Sequence, residues 1–235
     1  ALAGAPPAGA PDAASLLRAS DRARGGLEKG VTWTLGLEST EEGVTTSRSM
    51  IVRARGNDAL VDTLAPPRRK GEVYLFNDRT IWFVKPGLRR PVAISARQRL
   101  QGEASNGDVA STNYARDYEG AVVGEDAVDG EPAWRLELTA RTKDVTYDRI
   151  RYWISKKRRL GVKAEFLTVS GDLFKTAVIE YGPRVREPGG AEVDFPSRVT
   201  IRDAMGAGNV TVLAYESPRA ERHPPAIFNV NNVAR

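Results

Sequence analysis

VTWTLGLE, residues 31–38, alternates without a break. Val31, Trp33, Leu35 and Leu37 are apolar, and Thr32, Thr34, Gly36 and Glu38 between them are polar or small. Successive side chains of an extended chain point to opposite faces, so this spacing describes a strand with one buried and one wet face. The same pattern spreads outward. SRSMIVRARG (47–56) places Met50, Val52 and Ala54 on one face, and DALVDTL (58–64) is a further strand stopped by Pro66-Pro67. EVYLF and TIWFV then read as a hairpin around Asn77-Asp78.

The second half continues in kind. YEGAVVGEDAV leads to Asp129-Gly130, a hairpin turn signal. PAWRLELTA alternates Trp134, Leu136 and Leu138 with Arg135, Glu137 and Thr139, and TYDRIRYWIS puts Ile150, Tyr152 and Ile154 on one side. LGVKAEFLTVS, DLFKTAVIEYG, AEVDFPSRVTIRD and NVTVLAYES follow at regular spacing. The sum is about twelve strands with mostly short connections, hence a mainly β, antiparallel meander.

Two segments carry helical signals. Asp12 is an N-cap candidate, and Ala13, Leu16, Leu17 and Ala23 form one stripe before Gly25-Gly26 ends the run. SARQRLQ (95–101) reads as a second, short helix. GEASNGDVASTNYARD (102–117) has no period and reads as a long loop with one helical turn. Loops beyond about 12–15 residues in compact domains are often functional. Residues 1–11, rich in Ala, Pro and Gly, are expected to be disordered, and residues 12–235 to form a single domain.

Composition narrows the chemistry. The 235 residues are 41% hydrophobic and 28% charged, an ordinary globular mixture. Cysteine is absent, which excludes disulfides, thiolate catalysis and sulfur-ligated metals. No apolar run approaches the roughly 20 residues of a membrane-spanning helix. The opening ALAGAPPAGAPDAA lacks Met and is made of small residues like those flanking signal-peptidase sites, so an exported, periplasmic protein is expected. The net charge of +5 permits contact with anionic lipid or nucleic acid without demanding either.

Catalytic motifs are sparse. There is no GxSxG elbow, HExxH or phosphate-binding loop, and the one histidine, His223, sits before Pro224-Pro225 and reads as a loop residue. Asp144 and Asp148 flank Tyr147, and Glu125, Asp126 and Asp129 lie close together. Carboxylate pairs can run glycoside hydrolysis, but these fall at strand ends and turns, where Asp is common for conformational reasons. The basic run Lys156-Lys157-Arg158-Arg159 offers an anionic contact or, more simply, a solvated hairpin turn. What remains is the set of apolar faces. A curved sheet of this size, covered by amphipathic helices, either packs solid or leaves an apolar cleft.

Several stretches resemble a known family. They are LLRASDRARGG (16–26), the long run from Val61 to Gly102 with Pro-Pro, basic-Gly, paired strands, Lys-Pro and Arg-Arg-x-x-x-Ile-Ser in order, SNGDVASTNYARDYEG (105–120), residues 147–176, and the terminal PPAIFNVNNVAR. Together they resemble the periplasmic LolA-type outer-membrane lipoprotein-sorting proteins, in the branch of longer LolA-like proteins. The resemblance implies an unclosed antiparallel β-barrel with helices over its concave face, and a carrier or lipid-binding chaperone rather than an enzyme. Its cargo would be the acyl chains of lipoproteins or lipids, moved from inner to outer membrane. It also implies an inner-membrane transporter and an outer-membrane acceptor as partners, with a monomeric carrier, no nucleic acid, no cofactor and no metal. The sequence EASNGDVASTNY departs from the aromatic and acidic loop of many relatives. Strand alternation nominates Trp33, Leu35, Leu37, Met50, Val52, Trp134, Leu136 and Leu138 as cleft-lining residues, with Leu16 and Leu17 from a helical lid. The alternatives are a periplasmic lipoprotein sensor or adaptor working with an inner-membrane regulator, and an enzyme acting on a glycan or lipid through Asp144 or Asp148.

Overall fold

The computed structural model describes residues 7, 9–110, 112–206 and 208–233. Its strands are, in chain order, β1 (Val31–Glu41), β2 (Val44–Arg55), β3 (Asp58–Ala65), β4 (Val73–Asn77), β5 (Thr80–Val84), β6 (Val92–Ile94), β7 (Arg99–Gln101), β8 (Ala104–Ser105), β9 (Tyr118–Val128), β10 (Glu131–Ala140), β11 (Arg149–Ser155), β12 (Gly161–Leu167), β13 (Leu173–Arg186), β14 (Glu192–Asp203) and β15 (Val210–Ala220). Helix α1 spans Ala13–Ala23, and α2 (Tyr114–Asp117) and α3 (Val230–Val233) are single turns. Of the expected disordered start, residues 1–6 and 8 lie outside the described residues; Ala10 packs against the core.

Thirteen strands form one unclosed antiparallel sheet in the order β6-β5-β4-β3-β2-β1-β15-β14-β13-β12-β11-β10-β9. Two meanders therefore meet along the seam between β1 and β15, where Leu35 faces Tyr215, Leu37 faces Leu213 and Ser39 faces Thr211. The two free edges, β6 and β9, are consecutive in the large sheet's chain order. The linking segment, residues 95–117, must travel from one edge to the other. It does so over the inner face, crossing the seam itself. The Glu103 N–H donates to Thr211 Oγ1 at 2.8 Å, and Gln101 Nε2 donates to Ser39 Oγ at 3.3 Å.

This crossing corrects the expected helix at Ser95–Gln101. The chain makes a turn there and then β7, which pairs with β8. Only Ala96 and Leu100 are apolar in the segment, too few for a helical stripe. Side-chain and backbone bonds to the sheet outcompete helix formation; Gln101 Nε2, for example, also reaches the Thr46 carbonyl at 3.1 Å. The strand total of fifteen exceeds the expected twelve or so because this crossing supplies two short strands and β6 is a separate edge strand.

Helix α1 forms where Asp12 caps it, its carboxylate accepting from the Ser15 N–H at 2.9 Å. Gly25, at φ +98°, ends it. The stripe of Ala13, Leu16, Leu17, Ser20 and Ala23 is buried. Gly120 on β9 makes room for this contact: a Cβ there would meet Leu138 Cδ2 at 2.8 Å and Leu17 Cδ1 at 3.2 Å. Ser20 Oγ lies 2.7 Å from the Tyr152 hydroxyl, fixing the helix to β11. On the outer face Ala133, Trp153 and Val162 make a small separate cluster.

Gly102 lets the crossing segment lie flat on the seam. Its φ is +54°, and a Cβ would sit 2.2 Å from Thr211 Oγ1 and 2.4 Å from Ser39 Cβ. Left-handed backbone at a non-glycine residue costs on the order of 1–3 kcal/mol before any clash is counted. Gly102→Val should therefore lower unfolding stability by about 2 kcal/mol or more in urea titrations. Gly130→Ala, at a turn with open space around it, should cost less.

Candidate functional site

The inner face holds one continuous core that includes α1, the crossing segment and strands of both meanders. Within it lies a cavity of about 90 Å³. Its floor comes from the second meander: Ala164 and Phe166 of β12, Ala177 and Ile179 of β13, Val199 and Ile201 of β14, and Leu213 of β15. The register explains the hollow. Ala164 stands directly opposite Ala177, so two small side chains adjoin in one cross-strand row, and Ala177 in turn faces Ile201. The neighbouring row runs Ile179, Val199, Leu213.

The roof is the crossing segment, through Gly107, Asp108, Thr112, Asn113 and Tyr114, with Tyr118 at the start of β9. One wall is the β4–β5 hairpin, with Phe76 and Ile81, and the other is the loop 144–147. At the mouth Asp117 is paired with Arg116 at 2.7 Å and Arg79 at 3.5 Å. Asp144, exposed, lines the same cavity, while Asp148 is held by Arg97 at 2.7 Å.

Two half-buried carboxylates hold the roof down. Asp21 of α1 accepts from the Ala115 N–H at 2.8 Å and from Thr112 Oγ1 at 3.0 Å. Desolvation nonetheless pushes its pKa up to about 6, against the lowering effect of these bonds. Asp108 accepts from the Ser105 N–H at 2.8 Å and from the Tyr147 hydroxyl at 2.7 Å; burial raises its pKa as well. Tyr147 stacks on the floor residue Phe166 with ring centroids 3.8 Å apart.

Nine of the ten nominated residues are buried in the shared core: Leu16, Leu17, Trp33, Leu35, Leu37, Met50, Val52, Leu136 and Leu138. Trp134 is half-buried at its margin, with Lys156 Nζ 4.1 Å above its ring. The structure thus brings them to one face, but none of the ten lines the cavity, which lies beneath the crossing segment. The floor residues obey the same period-two rule. Alternation alone did not separate them from their neighbours, because the hollow depends on where the roof leaves space. Arg48, in the same inward row as Met50 and Val52, is a buried charge with its Nη1 donating to the Tyr74 hydroxyl at 3.2 Å.

Other candidates resolve locally. His223 is buried, with Nε2 2.9 Å from Thr32 Oγ1, a structural placement. In the basic turn, Lys156 pairs with Glu125 and Arg158 donates to Glu131, so two of the four charges have local partners. Among the described residues no helix is long and apolar enough to cross a membrane.

Comparison with known proteins places this geometry. No curated protein matches the chain. A family model described as "Uncharacterized protein" matches residues 55–235. A crystal structure of a LolA superfamily protein from Nitrosomonas europaea superposes with a TM-score of 0.83 at 28% identity, over 94% of this chain and 99% of that one. The chain belongs to the family of that model, and its fold is that of the LolA superfamily. Two further crystal structures superpose at TM-scores of 0.77. One is an outer membrane lipoprotein-sorting protein domain from Vibrio parahaemolyticus, 18% identical over 93% of this chain and 97% of that one. The other is a DUF1329 family protein from Desulfovibrio piger, 19% identical over 94% and 97%. The unclosed sheet with helices on its inner face is thus the LolA-like architecture.

The latch on the LolA-like roof has a pH signature. A carboxyl raised from 3.8 to about 6 binds more protons in the folded than in the unfolded chain between those values. Its contribution to stability is full below about pH 4 and is lost as pH rises through about 6. Two pH units correspond to about 3 kcal/mol. Asp21→Asn should flatten this component of the stability profile, and urea titrations of both proteins at pH 4, 5, 6 and 7 would show it. Parallel profiles would refute the assignment.

Proposed function

We propose that this protein is a periplasmic carrier that shelters acyl chains of lipoproteins or lipids in its inner apolar face during transfer from inner to outer membrane. The observation that carries this reading is the ready-made hollow between the crossing segment and an apolar floor, in a fold shared with a lipoprotein-sorting domain. The reading makes it a binding protein rather than an enzyme, acting as a monomer between a transporter and an acceptor.

At rest the cavity has room for about three waters, at roughly 30 Å³ each. A long hydrocarbon chain enters only when the roof and α1 move aside. The nominated residues then become cleft wall: Leu16 and Leu17 under the lid, and Trp33, Leu35, Leu37, Met50, Val52, Trp134, Leu136 and Leu138 along the sheet. Each buried methylene returns about 0.8 kcal/mol, so about ten of them offset the loss of several lid contacts. The polar latch favours release as much as capture. Its bonds are few, and they re-form once the tail has left.

Delipidated protein should take up a fluorescent fatty acid or an acylated peptide. Ala177→Phe, which fills the hollow, should reduce uptake at least tenfold while keeping a cooperative melt. Leu136→Glu should reduce it too. Absence of uptake by the wild-type protein would end the proposal.

A further inference from the structure

The inner end of the cavity carries a positive charge that the carrier reading leaves unused. Arg24 is the residue that caps the C-terminus of α1, with its N–H donating to the Asp21 carbonyl at 3.0 Å. Arg24 lines the cavity, and its charge acts on Tyr152 and Tyr215. Tyr114, another cavity residue, and Tyr181 lie in the same electrostatic neighbourhood. Among the described residues no carboxylate lies within ion-pair distance of the Arg24 guanidinium, although 19 other such pairs are present. The two acids nearest in field are already committed: Asp21 to Thr112 and Ala115, and Asp108 to Ser105 and Tyr147. Both are also pushed toward their neutral forms by burial.

A half-buried guanidinium without an ion-paired carboxylate is incompletely solvated. It is also a strong partner for a carboxylate or phosphate, which it binds through two parallel N–H donors. A further donor is at hand. The hydroxyl of Tyr114, which lines the cavity, makes no hydrogen bond among the described residues. From this polar end the floor runs out over Ala164, Ala177, Ile179, Val199 and Ile201. The other charged residues lining the cavity are Arg79 and Arg116, which pair with Asp117, and Asp78, Asp108 and Asp144.

We infer that the cavity is an amphiphile site with a defined polarity: a single anionic head, carboxylate or phosphate, binds Arg24, and the tail lies along β12–β15. This rests on the acyl-carrier reading and narrows its cargo to anionic single-headed amphiphiles. Because Arg24 belongs to α1, the ligand's head engages the lid itself.

Calorimetric titration of the full chain with three probes of equal tail length tests it: laurate, dodecyl phosphate and 1-dodecanol, with dodecyltrimethylammonium as the opposite charge. Laurate, dodecyl phosphate or both should bind at least tenfold more tightly than the alcohol, and the ammonium should bind no better than the alcohol. Preference between the two anions identifies the head. Arg24→Gln should collapse the acid-to-alcohol ratio to about one while leaving alcohol affinity unchanged, and Arg24→Lys should restore part of it. If Arg24→Gln fails to fold, the wild-type ratio decides alone. Equal binding of acid and alcohol would overturn the anion site and leave the carrier reading standing. Absence of binding by every probe would remove both.

Discussion

The pairing of β1 with β15 holds the molecule together. It joins the first and last strands of the large sheet in register and turns two meanders into a single surface. Once that seam forms, the free edges are β6 and β9, and the chain between them has nowhere to go but across a face. The inner face is the one it takes, because the apolar sides of both meanders already point there. The roof of the cavity follows from connectivity. The seam also sets the roof's height, through Ser39 and Thr211 beneath Gly102.

The interior shows how few polar contacts are needed to place a cover over an apolar sheet. Asp21 ties α1 to the crossing segment, Asp108 ties that segment to Tyr147, and Ser20 ties α1 to Tyr152. Half-buried carboxylates with raised pKa values are weak fasteners, since part of what each bond contributes is spent on desolvation. The apolar contacts of Leu16 and Leu17 are non-directional and re-form after displacement.

Much of the architecture was legible in the chain itself. Alternation at Val31–Leu37 and Trp134–Leu138 placed inward faces correctly, and Asp12 with Gly25 marked α1 to within a residue. Two things escaped. Residues 95–101 were misread as helical because their bonding partners, Ser39 and Thr46, are more than fifty residues away in sequence. The cavity escaped because it is a difference quantity. Inward position at Ala164, Ala177 or Val199 is periodic and readable, but whether the space above them is filled depends on the path of a segment that has no period of its own. The placement of Arg24 depends likewise on the fold: in RASDRARGG it is one of three arginines, and only the helix end turns it inward.

Arg24's position at the end of α1 has a mechanical meaning. A binding cation mounted on the sheet would stay put while the cover swung, and captured material could remain tethered through an opening. Mounted on the cover, the same charge leaves with it. For an anionic guest, grip and gate would be a single lever, so that unlocking and discharge become one event and no separate trigger is required.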